Sequence, residues 1–257
     1  MPKRISKKDL GIKENVLKSF DLIFKNWKLF LPLLLIDVLV DLALVGVSMD
    51  VLLIMNIFLF LMTWLVVLFF ARQIMAARKV RFSDGLYNAM TPLVSTLLIL
   101  VLALIQCVPL FFLIIVYATA IETHFFTNFG YILMFGLFAC AMIAISSFLL
   151  SDTMVALMAV SAPGMYPWRA LQLASGLMKG KRARFVVRLL VLGMILTLMW
   201  GVAFLPVVLL ALVIQLPIML VPIMMLVLGS FSIMFMAVYL YIYYRSIIGY
   251  DEKRSVK

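Results

Sequence analysis

Charged residues are scarce in this chain of 257 residues. Only 13% are Asp, Glu, Lys or Arg, and there are one histidine and two cysteines, which are too few for a metal cluster. The sequence also contains no Gly-x-Ser-x-Gly, no glycine-rich phosphate loop followed by Lys, and no His-Glu-x-x-His. These absences argue against an enzyme, and we expect no catalytic residue, cofactor or metal.

Apolar residues take the place of the missing charges. They make up 67% of the chain, and the mean hydropathy is +1.21. A soluble domain of this length cannot bury so much apolar surface, so the sequence predicts an integral membrane protein. About 20 helical residues cross a hydrocarbon core of about 30 Å, and six apolar runs predict an all-α polytopic fold in one membrane domain. These runs are 29–47, 51–71, 93–117, 129–150, 185–213 and 219–244.

The positions of the basic residues predict how the spans are oriented. Lys and Arg number 22 and fall into four groups, at 3–28, 72–81, 169–188 and 245–257. None lies in the turns at 48–50, 118–128 and 214–218. By the positive-inside rule the groups are cytoplasmic and the turns external. We therefore expect both termini inside a bacterial cytoplasmic membrane, with a cytoplasmic tail at 245–257, and anionic lipids rather than nucleic acid as the partner of the net charge of +11.

Three amphipathic stretches lead into the spans, at 12–27, 82–91 and 166–180. Apolar residues recur in them at helical spacing close to Lys or Arg, which is typical of helices that lie in the membrane interface. We expect lipid-headgroup contacts from Lys18, Lys25, Lys28, Arg78, Lys79, Arg81, Lys179, Lys181, Arg182 and Arg184. The chain is thus predicted to contain three copies of one unit, an interfacial helix followed by a two-helix hairpin.

Two aspartates interrupt the first span. Asp37 and Asp41 lie four residues apart on one helix face, with Asp37 about 14 Å beyond the basic interface. Each costs about 2.5 to 3.5 kcal/mol near the bilayer centre, so their face needs a protein cover. A tight turn at 48–50 places Thr63 at the depth of Asp37 and Asn56 at that of Asp41. No Lys or Arg is available there, which favours protonated carboxyls.

The aspartate pair has two interpretations. It could relay protons or cations, a role typical of intramembrane carboxyls, with Gln106 of the third span as another lining residue. It could instead hold the first hairpin together through hydrogen bonds to Asn56 and Thr63.

Small residues and a proline inside the spans predict helix packing. Gly136, Cys140 and Ala144 form a stripe on the fourth span, and such stripes let helix backbones approach closely. Pro109 should bend the third span. Asp152 is expected in the membrane interface, at the inner end of the fourth span.

The segment 170–180, Ala-Leu-Gln-Leu-Ala-Ser-Gly-Leu-Met-Lys-Gly, carries a family resemblance. It resembles a group of bacterial six-helix membrane proteins that includes the YciC-like and DUF975-type proteins and the membrane domain of some glycerophosphoryl diester phosphodiesterases. The Leu-Lys-Ser-Phe at 17–20, followed by Asn26 and Trp27, is similar to the opening of that group. The resemblance implies a helical membrane domain without an assigned activity, since the phosphodiesterase chemistry belongs to a separate soluble domain.

Three functions are compatible with these features. The leading hypothesis is a non-enzymatic scaffold or accessory protein in envelope or lipid homeostasis, with its basic helices on anionic lipid and a membrane protein as a further possible partner. The alternative is a small proton- or cation-coupled transporter or channel that uses Asp37 and Asp41. An immunity or resistance protein against membrane-active peptides also fits the layout, without support from particular residues. The sequence leaves the oligomeric state open.

Overall fold

A computed structural model describes residues 11–44, 46–78, 80–123, 128–162, 164–214 and 220–248. These residues form ten α-helices and no strand, so the all-α prediction is confirmed for them. The helices are α1 (Ile12–Lys25), α2 (Trp27–Ala43), α3 (Met49–Met75), α4 (Phe82–Ala89), α5 (Leu93–Gln106), α6 (Val108–Glu122), α7 (Phe129–Val160), α8 (Pro167–Met178), α9 (Arg182–Ile214) and α10 (Leu220–Ile248).

Four helices in the described ranges, namely α3, α7, α9 and α10, are long and apolar enough to cross a membrane. A fifth span is added if α4 and α5, which are bent by 63° at their junction, form one broken span. Helix α2 has 17 residues, or about 25 Å, and it ends at Ala43, four residues before the predicted end of the first span. The helices fit a multi-pass membrane protein, and the count of six spans remains a prediction.

The predicted third span is interrupted at Cys107, between α5 and α6. Pro109 lies in the first turn of α6 and has no backbone N–H to continue the helical pattern. Cys107 is still bonded to both helices, since its N–H donates to Ala103 O at 3.0 Å and its carbonyl accepts from Phe111 N at 3.1 Å. The effect of the proline is therefore a local break in the helix.

The chain divides into two compact units. The first contains α1 to α4, α10 and the part of α9 from Arg188 onward, and α1, α2 and α3 all pack on α10. Helices α2 and α3 are antiparallel, because Asp37 contacts Thr63 while the Phe30 and Phe70 rings lie 6.0 Å apart. The core sits in the C-terminal halves of α3 and α10, where residues 64–71 and 237–243 are all buried.

The second unit covers residues 94–187, from α5 to the first six residues of α9. Helices α6 and α7 are antiparallel, because the Phe112 ring contacts Phe138 at 6.3 Å and the Tyr117 ring contacts Phe135 at 5.8 Å. Helix α7 has 32 residues and continues ten residues past the predicted inner end of the fourth span. This additional segment packs on α8, and its last six residues are all buried.

The small-residue stripe on α7 does not mediate packing within the described chain. Gly136, Cys140 and Ala144 are all exposed, and a Cβ added at Gly136 would meet no atom within 4 Å. Close approach occurs instead at Gly85 of α4, where an added Cβ would lie 2.2 Å from the Phe70 ring. The tight contact therefore involves a short helix rather than two spans.

Candidate membrane-surface and intramembrane sites

The three short helices α1, α4 and α8 bury residues in the same pattern. The buried positions are four apart, so they lie on one face of each helix. They are Asn15, Ser19 and Ile23 in α1, Gly85 and Ala89 in α4, and Ala170, Ala174 and Met178 in α8. Because most of these side chains are small, each short helix can lie close to its neighbour.

Each short helix docks on a long helix that contains a run of buried residues in its C-terminal half, at 64–71 in α3, 155–160 in α7 and 237–243 in α10. Helix α4 packs on α3, α8 on α7 and α1 on α10. In the α1 contact, the Phe20 and Phe235 ring centroids are 4.5 Å apart. Since α4 and α8 follow the helix on which they dock, the packing repeat is a long helix and then a short one. Helix α1 forms the third copy with α10, the last helix in the described part of the chain. In this packing repeat the long helix precedes the short one, whereas the predicted unit begins with the short helix.

Docking leaves bulky apolar side chains of the short helices exposed. Leu17 and Phe24 on α1, Trp27 at the start of α2, Tyr87 on α4 and Trp168 on α8 are each more than half exposed. Aromatic residues with an apolar body and a polar tip are typical of the membrane–water boundary. The exposed faces of α1, α4 and α8 are therefore separate candidate membrane-surface sites, the first two in the first unit and the third in the second unit.

Most of the residues predicted to contact headgroups are exposed. Lys18, Lys25, Lys28, Arg78, Arg81, Lys179 and Arg184 are exposed, Lys181 is half-buried, and Lys79 lies outside the described residues. Lys18 pairs with Glu14 at 3.4 Å and Lys25 with Asp21 at 2.8 Å, each one helical turn away. Such exposed pairs contribute only about 0.3 to 0.5 kcal/mol, so a lipid phosphate can compete for both lysines.

Arg182, another predicted headgroup contact, is instead held by the protein. Its Nε donates to Oδ1 of Asp152 at 2.9 Å, its Nη2 donates to Oδ2, and its guanidinium lies 4.3 Å from the centroid of the Phe148 ring. The Arg182 and Asp152 side chains are 26% and 20% exposed. We therefore leave Arg182 out of the membrane-surface sites, and Asp152 joins the start of α9 to α7.

Asp37 is buried within α2 and accepts a hydrogen bond from Thr63 Oγ1 at 3.0 Å. The predicted register of the hairpin also pairs Asp37 with Thr63. Asp41 is only half-buried and Asn56 is exposed, and no hydrogen bond joins these two within the described ranges. Because α2 ends at Ala43, Asp41 lies in its last turn, where Asn56 does not cover it.

Gln106 lies in the second unit and Asp37 in the first. The Gln106 side chain accepts a hydrogen bond from Thr153 Oγ1 of α7. A cavity lined by both Gln106 and the aspartate pair therefore remains a prediction. The transport hypothesis, which uses that cavity, also remains a prediction.

A buried polar cluster around Tyr239 is not singled out by the sequence interpretation. Asn15 Nδ2 donates to the Tyr239 carbonyl at 3.4 Å, Ser19 Oγ donates to the Asn15 carbonyl at 2.7 Å, and the Arg188 guanidinium lies 4.5 Å from the Tyr243 ring centroid. Asn15, Tyr239 and Arg188 are 0%, 1% and 6% exposed. The signal that could have revealed this cluster is Arg188, an arginine within a predicted span.

No family model, curated protein or solved structure matches the chain. The proposals on function therefore rest on the geometry described above.

Proposed function

We propose that the protein is a non-enzymatic membrane scaffold or accessory protein in envelope or lipid homeostasis, which holds anionic lipids of the inner leaflet on its three short helices. This proposal rests on the observation that α1, α4 and α8 each dock on a long helix in the same way. Each helix buries a narrow stripe against the protein and leaves bulky apolar side chains exposed near Lys or Arg. Aromatic rings favour the membrane boundary and clustered cations attract lipid phosphates, so the two features together suit a headgroup-binding surface.

The proposal includes six spans with both termini in the bacterial cytoplasm. Helices α3, α7, α9 and α10 supply four spans, α5 with α6 a fifth, and α2 the sixth. Antiparallel contacts support three pairs: those of α2 with α3 and α6 with α7 described above, and that of α9 with α10, where Trp200 Nε1 donates to Ser232 Oγ at 2.9 Å and Arg188 covers Tyr243. In this topology the C-terminal halves of α3, α7 and α10 face the cytoplasm, so the docked short helices lie at the inner membrane surface.

Bilayers that contain brominated lipids test the proposed function, because bromine quenches nearby tryptophan fluorescence. In variants that retain only Trp27 or only Trp168, we expect stronger quenching by brominated phosphatidylglycerol than by brominated phosphatidylcholine at equal mole fraction. Each Lys or Arg near the surface contributes about 1 kcal/mol of attraction to anionic lipid. Replacing both Lys25 and Lys28 by Gln should therefore remove most of the phosphatidylglycerol excess at Trp27.

A variant that retains only Trp64 provides the control, because this side chain is 2% exposed and lies in the core of the first unit. Its quenching should be weak and independent of the headgroup. Equal quenching of Trp27 and Trp168 by the two brominated lipids would refute the proposed attraction of anionic lipid.

A further inference from the structure

The turn between α8 and α9 carries two lysines that pair with no carboxylate in the described part of the chain. We infer that Lys179 and Lys181 bind the headgroup of one lipid that carries two phosphate groups, such as cardiolipin. The inference rests on the proposed function, which places this turn at the inner leaflet. It deepens that function, because it assigns one class of anionic lipid to one place on the chain.

The backbone between the two lysines forms an exposed turn. Lys179 has φ −55° and ψ 118°, Gly180 has φ +76°, and Lys181 N donates to the Met178 carbonyl at 2.8 Å. These values match a type II turn, whose third position favours glycine. Lys179 and Gly180 are exposed, and a Cβ added at Gly180 would meet no atom within 4 Å. A phosphate group can therefore approach the turn from outside the protein.

The positive charge at this turn is not balanced by nearby acidic residues of the sequence. Asp152 is the only Asp or Glu at 123–250, and both of its carboxylate oxygens accept hydrogen bonds from Arg182. Helix α9 begins directly after Lys181 and has no acidic residue in its first turn, whereas α1, α3 and α4 each have one. Since a helix N-terminus favours negative charge, the start of α9 adds to the attraction of the lysines for an anion.

Two other cations of the same unit are not assigned to the site. Arg184 is exposed but makes another contact. Arg169 is exposed near the start of α8, ten residues before Lys179, which corresponds to about 15 Å along the helix. That distance is longer than the Debye length of about 8 Å at physiological ionic strength. The site is therefore limited to two positive charges around one turn.

Two linked phosphates suit this pair of lysines better than two separate phosphatidylglycerol molecules. Each ammonium group can form charge-assisted hydrogen bonds with one phosphate. Once the first phosphate of a headgroup is bound, the second is held near the other lysine at a high effective concentration. A headgroup with a single phosphodiester lacks this second contact, so it should bind more weakly.

The segment after the turn favours a lipid over a soluble diphosphate. Val187 lies six residues after Lys181, or about 9 Å along α9, and it is 53% exposed. Beyond Arg188, α9 contains no charged residue. In the proposed topology the hydrocarbon core begins here, so the acyl chains of a lipid bound at the turn can contact Val187.

Native mass spectrometry of the full chain with single lipids tests this site. We expect the wild-type protein to bind cardiolipin more tightly than phosphatidylglycerol. Lys179→Gln should weaken cardiolipin binding about five-fold, and the double variant with Lys181→Gln about 30-fold, since each cation contributes about equally. Arg169→Gln is the matched control, because it removes one exposed cation from the other end of α8. It should change the affinity by less than about two-fold.

A thermal unfolding measurement separates lipid binding from folding. Without lipid, the double variant and Arg169→Gln should keep the wild-type midpoint, because none of the three side chains has a partner in the described ranges. With cardiolipin, the wild type and Arg169→Gln should gain more stability than the double variant, since a ligand stabilises the folded state that binds it.

Three results would count against the inference. Equal wild-type affinities for cardiolipin and phosphatidylglycerol would overturn it, and so would equal losses in Lys179→Gln and Arg169→Gln. Displacement of cardiolipin by inorganic pyrophosphate at equal concentration would overturn the assignment to a lipid. The proposed attraction of anionic lipid would survive each of these results, because the tryptophan quenching experiment tests it separately.

Discussion

Replacing Gly85 by alanine is expected to lower the thermal unfolding midpoint, although alanine is the better helix former. The new Cβ would lie 2.2 Å from Cε1 and 2.6 Å from Cζ of Phe70. The Phe70 ring is fully buried, and the Phe30 and Phe82 rings lie 6.0 and 6.1 Å from it. Because this ring cannot move aside, α4 must shift away from α3. Overpacking of this kind costs about 2 kcal/mol, or about 6 °C in a chain of this length.

Gly176→Ala on α8 is the matched control for Gly85→Ala. Gly176 is exposed within a helix, and an added Cβ would meet no atom within 4 Å. Alanine should stabilise this helix by about 0.5 to 1 kcal/mol and raise the midpoint. Both variants can be measured by intrinsic fluorescence during heating in one detergent. Midpoints that shift in the same direction would contradict the docking of α4 on α3 through Gly85.

Asp152→Asn is expected to destabilise the second unit by about 2 kcal/mol. The substitution leaves the Arg182 guanidinium over Phe148 without the carboxylate that neutralises it. Breaking a fully buried ion pair costs about 3 to 5 kcal/mol, and an exposed pair is worth less than about 1 kcal/mol. Exposures of 26% for Arg182 and 20% for Asp152 place this pair between the two limits.

A double-mutant cycle isolates the ion pair from other effects of the substitutions. Asp152→Asn, Arg182→Gln and the double variant should give a coupling free energy of about 1.5 kcal/mol in denaturant unfolding. Asp21 and Lys25 provide the control pair, since their charged atoms are 2.8 Å apart but their side chains are 57% and 72% exposed. The control cycle should give about 0.3 to 0.5 kcal/mol. Equal coupling in the two cycles would show that burial adds nothing to the Asp152–Arg182 pair.

The short helices were predictable from the sequence, but the faces on which they dock were not. Large apolar residues such as Leu17 and Phe24 produce the helical periodicity, and they lie on the exposed side. The docked side carries residues such as Ser19, Gly85 and Ala174, which add little to any hydrophobic pattern. What makes these positions suitable is their small size beside a particular neighbour, and a single sequence does not specify that neighbour.

Some of the polar contacts were also predictable from the sequence, and others were not. The pairing of Asp37 with Thr63 follows from a short turn, which fixes which residues of two antiparallel helices face each other. Asn56 does not pair with Asp41, because the contacts of 37 with 63 and of 30 with 70 join residues whose numbers sum to 100, which puts Asn56 about three residues from the level of Asp41. The Asp152–Arg182 pair was not predictable, because its partners are separated by α8 and because α7 continues as a helix beyond its apolar run.

The membrane side of the short helices is the central claim, and cysteine labelling measures it directly. Both native cysteines are first replaced by alanine. Single cysteines are then introduced at exposed positions of α1, α4 and α8, namely Lys18, Asn88 and Gln172. Exposed Asp50 and Glu122, which belong to predicted external turns, provide the comparison sites.

An impermeant maleimide is then added to intact cells and to inverted membrane vesicles. We expect cysteines at Asp50 and Glu122 to be labelled in intact cells, and those at Lys18, Asn88 and Gln172 only in inverted vesicles. Labelling of any of the three short-helix sites in intact cells would contradict the placement of α1, α4 and α8 on the inner leaflet.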